Sequence, residues 1–214
     1  MPRGNSDPKQ STPSSSARRG SVADQRIPLL RYVHIFSSIV RELLELRPLQ
    51  DASTVTLTLS QFHFLKAIAL NGGHQVGEVA GLLGLSPAAA TKSVDKLEGL
   101  GLVVRSPSKG DRRATLLSPS PKGRRLVNKY EGLQAERLRP VLEQFSPGEL
   151  DRMTRLLERF SLTLLDTEEP GNEFCLRCGA YIEDTCRIGE ARGGCPYQQA
   201  YGSNAADRAP QEVP

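Results

Sequence analysis

The chain has 214 residues, 38% of them apolar and only 5% aromatic, with no tryptophan; this allows one domain of about 140 residues plus tails. Its formal net charge of +4 is too modest for overall basicity to argue for nucleic acid. No apolar run approaches the roughly 20 residues that span a bilayer, and no signal-peptide core follows Met1. The expected compartment is therefore the cytoplasm, without a membrane partner, where four cysteines stay reduced unless they bind a metal or sense redox state.

Residues 1–24 are rich in Ser, Pro, Arg and Gly and nearly devoid of large apolar side chains. Such a stretch cannot bury enough surface to offset the cost of ordering it, and a disordered arm is expected. From residue 27 to 47 the apolar stripe Leu29, Val33, Phe36, Val40, Leu43, widened by Leu30, Ile39 and Leu46, predicts a helix that Pro48 closes. So broad an apolar face needs a partner, either its own chain or a second subunit. Thr58 and Gln61 fit a capping box opening a helix through Phe62, Leu65 and Ile68. His63 and His74 lie near its two ends, without further donors at metal-ligand spacing. Gln75 and Val76 are placed to add a very short strand, and the helix 77–83 buries Val79, Ala80 and Leu83.

Residues 76–118 organise the rest. Gly84-Leu85-Ser86-Pro87 separates two helices: Gly84 suits the left-handed end of the first, Ser86 can cap the second, and Pro87 fits a first turn that needs no backbone donor. Ala90, Val94 and Leu97 then fall on one face, continuing into Leu100 and Leu102, while Ala88, Thr91, Lys92, Asp95 and Lys96 fall on the other. That second face is small at its start and basic further on, so it can approach a groove closely and still reach phosphates. It reads as a DNA recognition helix.

Residues 102–105 and 114–117 are short strand-like runs joined by a polar, glycine-containing loop, a hairpin carrying Arg105, Lys109, Arg112 and Arg113 at and near its tip. Asp111 could hold one arginine in a fixed pose. A helix-turn-helix continuing into such a hairpin is a winged helix, spanning 58–118. Between Ser60 and Ser118, seven Lys/Arg (Lys66, Lys92, Lys96, Arg105, Lys109, Arg112, Arg113) face four acids (Glu78, Asp95, Glu98, Asp111). The reading gathers that net +3 on the DNA side, with a salt-dependent footprint of a few phosphates. The expected DNA-contacting residues are Ser86, Ala88, Ala89, Thr91, Lys92, Lys96, Arg105, Lys109, Arg112 and Arg113.

Beyond the wing, Ser120-Pro121 opens a helix over 121–142 that Pro140 kinks or ends. Ser146-Pro147-Gly148-Glu149 is a further capping box for a helix over 147–165, whose Leu150, Met153, Leu157, Phe160 and Leu164 form a heptad seam. The fold class expected is mainly α, in an α+β arrangement: a winged helix-turn-helix with long flanking helices, occupying 25–166.

Leu97-Glu98-Gly99-Leu100-Gly101-Leu102-Val103, then Gly110-Asp111-Arg112-Arg113-Ala114 and Ser120-Pro121-Lys122-Gly123-Arg124, resemble the MarR family of bacterial transcriptional regulators. So does Leu57-Thr58-Leu59-Ser60-Gln61-Phe62. The resemblance covers roughly residues 27–166. It implies a homodimer on pseudo-palindromic operator DNA, with first and last helices intertwined between subunits. The second helix of the motif would lie in the major groove and the wing arginine in the minor groove. Ala88-Ala89-Ala90 is a departure that leaves few base-reading side chains.

Residues 167–201 carry all four cysteines: Cys175 and Cys178 as C-x2-C, Cys186 after seven residues, Cys195 after eight more, with Pro196 and Tyr197 directly behind. The segment is too short to form its own core, and four thiolates on a metal would fold it. The proline after the last cysteine and the irregular spacing point to an iron–sulfur cluster. The C-x2-C knuckle points to zinc, and a thiol switch without metal is the third reading. Residues 202–214 are expected to be a disordered tail. The functional expectation is a non-enzymatic DNA-binding regulator reporting redox state, iron or oxygen through this segment. The alternatives are the same regulator with a structural zinc site or small-molecule control near His34 and His63, and, from a different class, a redox protein or electron carrier. No Gly-rich phosphate loop, zinc-protease motif or nucleophile-with-base arrangement is present.

Overall fold

The stripe read from residue 27 is helical from Val22 onward in the computed structural model, which describes residues 22–71, 74–83, 85–107, 115–167 and Glu190. The chain divides into two compact units, Met1–Ile39 and Val40–Pro214. In the first, helix α1 runs Val22–Ile39, so residues 22–24 of the expected arm are helical; the rest of the arm lies outside the described residues. Its apolar side chains, among them Ile27, Leu30, Val33 and Phe36, are exposed.

The second unit begins with a π-helical turn, Val40–Leu46, and continues into α2, Arg47–Ala52. Pro48, expected to end the segment, instead sits buried in the first turn of α2. A proline inside a helix offers no N–H and crowds the carbonyl four residues earlier, here Leu44. The wider π turn ahead of it relieves that crowding. The Leu44 carbonyl finds side-chain donors instead: Tyr130 Oη donates to it at 3.2 Å and Gln134 Nε2 at 2.9 Å.

The remaining elements are α3 (Leu59–Asn71), β1 (His74–Gln75), α4 (Val76–Leu82), α5 (Pro87–Gly99), β2 (Val103–Pro107), β3 (Thr115–Pro119), α6 (Pro121–Leu142) and α7 (Pro147–Asp166). The three strands form one antiparallel sheet in the order β1-β3-β2. The short extra strand falls one residue earlier than expected, with His74 opposite Leu117 and Gln75 opposite Leu116. The expected capping boxes form. Gln61 N donates to Thr58 Oγ1 at 3.2 Å while Thr58 N donates to Gln61 Oε1 at 3.0 Å, and Ser146 and Glu149 make the same reciprocal pair. Helix α6 passes through Pro140 and stops two residues later, at Leu142.

The core gathers Phe62, Leu65 and Ile68 of α3, Val94 and Leu97 of α5, Leu117 of β3 and Tyr130 of α6. Phe62 is fully buried, and its ring centroid lies 4.3 Å from that of Tyr130. Lys66, counted from sequence among the DNA-side charges, is instead 3% exposed, with Nζ 3.3 Å from Glu131 of α6. It serves the junction of α3 and α6. By contrast α7 buries none of its side chains: Met153, Leu157 and Leu164 of the expected seam are exposed.

Candidate nucleic-acid interface

Helix α5 divides as its periodicity requires. Ala90, Val94 and Leu97 are buried, while Ala88, Ala89, Thr91, Lys92, Asp95 and Lys96 are exposed. Ser86 caps the helix, accepting from Ala89 N at 3.3 Å, with Pro87 in the first turn. The hydroxyls of Thr91 and Ser93 donate to the carbonyls of Pro87 and Ala89, both at 2.9 Å. The methyl of Thr91 and the small Ala88 and Ala89 therefore leave a low, smooth surface at the helix start. Lys92 and Lys96 make no ion pair among the described residues.

The far end of α5 is locked. Leu102 N donates to Leu97 O at 2.9 Å and Gly101 N to Glu98 O at 2.8 Å. This is the double bond of a Schellman terminus, with Leu97 and Leu102 buried together. It requires a left-handed residue, and Gly101 has φ 67. The loop is then tied to α6: Ser120 Oγ donates to Gly101 O at 2.7 Å and Lys122 Nζ to Leu100 O at 2.9 Å. Ser120 also caps α6, accepting from Gly123 N at 3.0 Å. One serine thus joins the end of the exposed helix to the start of the next.

Strands β2 and β3 pair from Val103 opposite Pro119 to Pro107 opposite Thr115. The wing tip, with Lys109, Asp111, Arg112 and Arg113, lies outside the described residues, as does Gly84. Of the wing cations only Arg105 is described, and it faces α5: Nη2 pairs with Asp95 and Nε lies 3.2 Å from Glu98 Oε2. Residue spacing alone carries no signal of this link, since Arg105 and the two acids belong to different elements.

His63 is half-buried; burial first, then the nearby charges of Lys66 and Arg41, hold its imidazole below the ordinary histidine range. His34 belongs to the other unit, where its carbonyl accepts from Ser37 and Ser38. Cys175, Cys178, Cys186 and Cys195 lie outside the described residues. Among the described residues no group of three or more His, Cys, Asp or Glu is placed to hold a metal ion. No described helix is long and apolar enough to cross a membrane.

A capped helix with an exposed small-and-basic face, leading into a two-stranded hairpin and flanked by long helices, is a winged helix-turn-helix. Residues 57–115 match the model of the MarR family. Solved structures agree in fold. A MarR family transcription regulator superposes with TM-score 0.59 at 16% identity, over 68% of this chain and 93% of that one. FabT of Streptococcus pneumoniae, in complex with DNA, gives 0.55 at 22% identity, over 68% and 99%. The transcriptional repressor CouR, bound to a 23-mer DNA duplex, gives 0.51 at 27% identity, over 64% and 95%.

Proposed function

We propose that this protein is a homodimeric regulator of transcription that binds pseudo-palindromic double-stranded DNA. In this reading α5 enters the major groove, with Ser86, Ala88, Ala89 and Thr91 near base edges and Lys92 and Lys96 on phosphates. The wing, with Lys109, Arg112 and Arg113, reaches the adjacent minor groove. The observation that carries the reading is the division of α5 into a buried apolar face and an exposed face of small residues and lysines. FabT and CouR, whose folds match, are themselves seen with DNA. The dimer is supported by the exposed apolar side chains of α1 and α7, which form larger stripes than scattered surface residues do. Enzymatic work is not part of the proposal.

The test uses a duplex selected by the full-length protein from a random-sequence pool. Arg113→Ala is expected to weaken binding by about 1–3 kcal/mol. Lys96→Ala should weaken it on all sequences and flatten the dependence of log K on log salt by about one unit. Parent-like affinity in both variants at fixed salt would remove the wing and the helix from the account.

The proposal extends to the C-terminal segment, where Cys175, Cys178, Cys186 and Cys195 would hold an iron–sulfur cluster that modulates DNA affinity. A zinc site is the second reading, favoured by the C-x2-C knuckle. Either metal would supply the folding free energy that so short a segment lacks. Anaerobically purified protein is expected to be brown, with thiolate-to-iron absorbance that Cys178→Ala abolishes. Colourless protein with one zinc per chain would assign the site to zinc, and metal-free protein would leave a thiol switch.

A further inference from the structure

We infer that Arg105 is a positioning residue for DNA recognition, acting through Asp95 and Glu98 of α5 rather than on phosphate; the inference rests on the DNA-binding reading above. Arg105 lies on β2 opposite Leu117, a fully buried residue of β3, so its backbone is held by the sheet. Asp95 and Glu98 are three residues apart and share one face of α5. The guanidinium meets both at once, Nη2 on Asp95 and Nε 3.2 Å from Glu98 Oε2. A planar fork with several donors suits two acceptors in fixed positions, whereas an ammonium group has no such preset geometry.

The arrangement contributes little as a fold-stabilising device, because all three side chains are more than a third exposed and exposed ion pairs add little to stability. Its effect falls on the face that α5 presents. Lys92, three residues before Asp95, shares that side of the helix with it, and Lys96 is exposed beside them. Without a partner, Asp95 and Glu98 would offset the lysines and repel phosphates in a region where the protein needs positive potential. The Schellman terminus and its bonds to Ser120 and Lys122 already anchor the end of α5 to α6. Arg105 supplies a further tie, from the wing to the C-terminal half of the helix. Helix and wing thereby reach the duplex at a set mutual angle.

The inference is tested on the full chain with a fluorescein-labelled duplex that the parent protein selects from a random-sequence pool. Arg105→Gln is expected to weaken binding about tenfold or more, as loss of one partner in a charge network does. The triple variant Arg105→Gln/Asp95→Asn/Glu98→Gln should return to within about threefold of the parent, because neighbours in one network are strongly coupled. A triple variant as weak as Arg105→Gln would mean that Arg105 acts on the DNA itself, and parent-like binding by Arg105→Gln would leave it no role. Arg105→Lys keeps the charge without the fork and decides the matter should Arg105→Gln fail to fold. It should melt with the parent yet bind at least about threefold more weakly; parent-like binding would overturn the positioning role. If the parent enriches no sequence at all, the DNA-binding reading fails first, an outcome separate from any behaviour of the variants.

Discussion

Phe62→Ala is expected to destabilise the second unit by about 3–5 kcal/mol, the range for removing a fully buried aromatic side chain. Phe62 has no exposed surface and packs its ring against Tyr130, with centroids 4.3 Å apart. Tyr130 in turn donates to the Leu44 carbonyl across 86 positions of sequence. The cavity would therefore sit where α3, α6 and the π turn meet, and a neighbour whose hydroxyl is already committed cannot swing in to fill it. Denaturant unfolding monitored by circular dichroism measures the loss. A change below about 1 kcal/mol would mean that the junction can collapse around the missing ring, which close packing argues against.

Gly123→Ala is the second large effect, expected at about 2–3 kcal/mol or more, as overpacking costs. A Cβ at this position would fall well inside contact distance of the Leu102 backbone carbonyl, with Leu65 Cδ1 3.2 Å away. Leu65 could yield, but the carbonyl cannot, since it accepts Ser120 N at 2.9 Å and belongs to the locked end of α5. Alanine is the better helix former by about 1 kcal/mol, so the sign depends on the clash outweighing propensity. Gly132→Ala isolates the propensity: it lies in the same helix with nothing within 4 Å of its added Cβ. It should stabilise by about 0.5–1 kcal/mol. The two variants shifting the melting curve in opposite directions is the expected result. Gly123→Ala should also weaken DNA binding beyond its loss of stability, because the displaced carbonyl adjoins the anchored end of the exposed helix.

Much of the candidate interface is readable from residues because its causes are local. Ser86, Pro87, Thr58, Gln61, Ser146 and Glu149 act on backbone groups within four residues, and each capping side chain makes its expected bond. The faces of α5 follow from a period of 3.6 residues against one buried side. The choice of Gly101 as the left-handed residue is not readable in this way, although Gly99-Leu100-Gly101 marks the change of period. Two glycines two residues apart carry the same local signal, and only the bonds to Leu97 and Glu98 decide between them.

The helix-turn-helix, the wing strands and the caps are legible in the residues alone, because short-range hydrogen bonding and apolar periodicity specify them. The pairing of individual charges and the place of Pro48 emerge only from the packed chain. Lys66 counts as a DNA-side cation until α6 brings Glu131 to it and buries it. Arg105 counts as a free cation until the strand folds back on α5 and sets it between Asp95 and Glu98. Pro48 reads as a helix end until a π turn makes room for its ring, and α6 supplies Tyr130 and Gln134 to the carbonyl it cannot serve. The physical reason is common to the three. Burial, ion pairing and the satisfaction of a backbone carbonyl depend on groups many residues away, and distance in space is the one quantity that residue spacing does not encode.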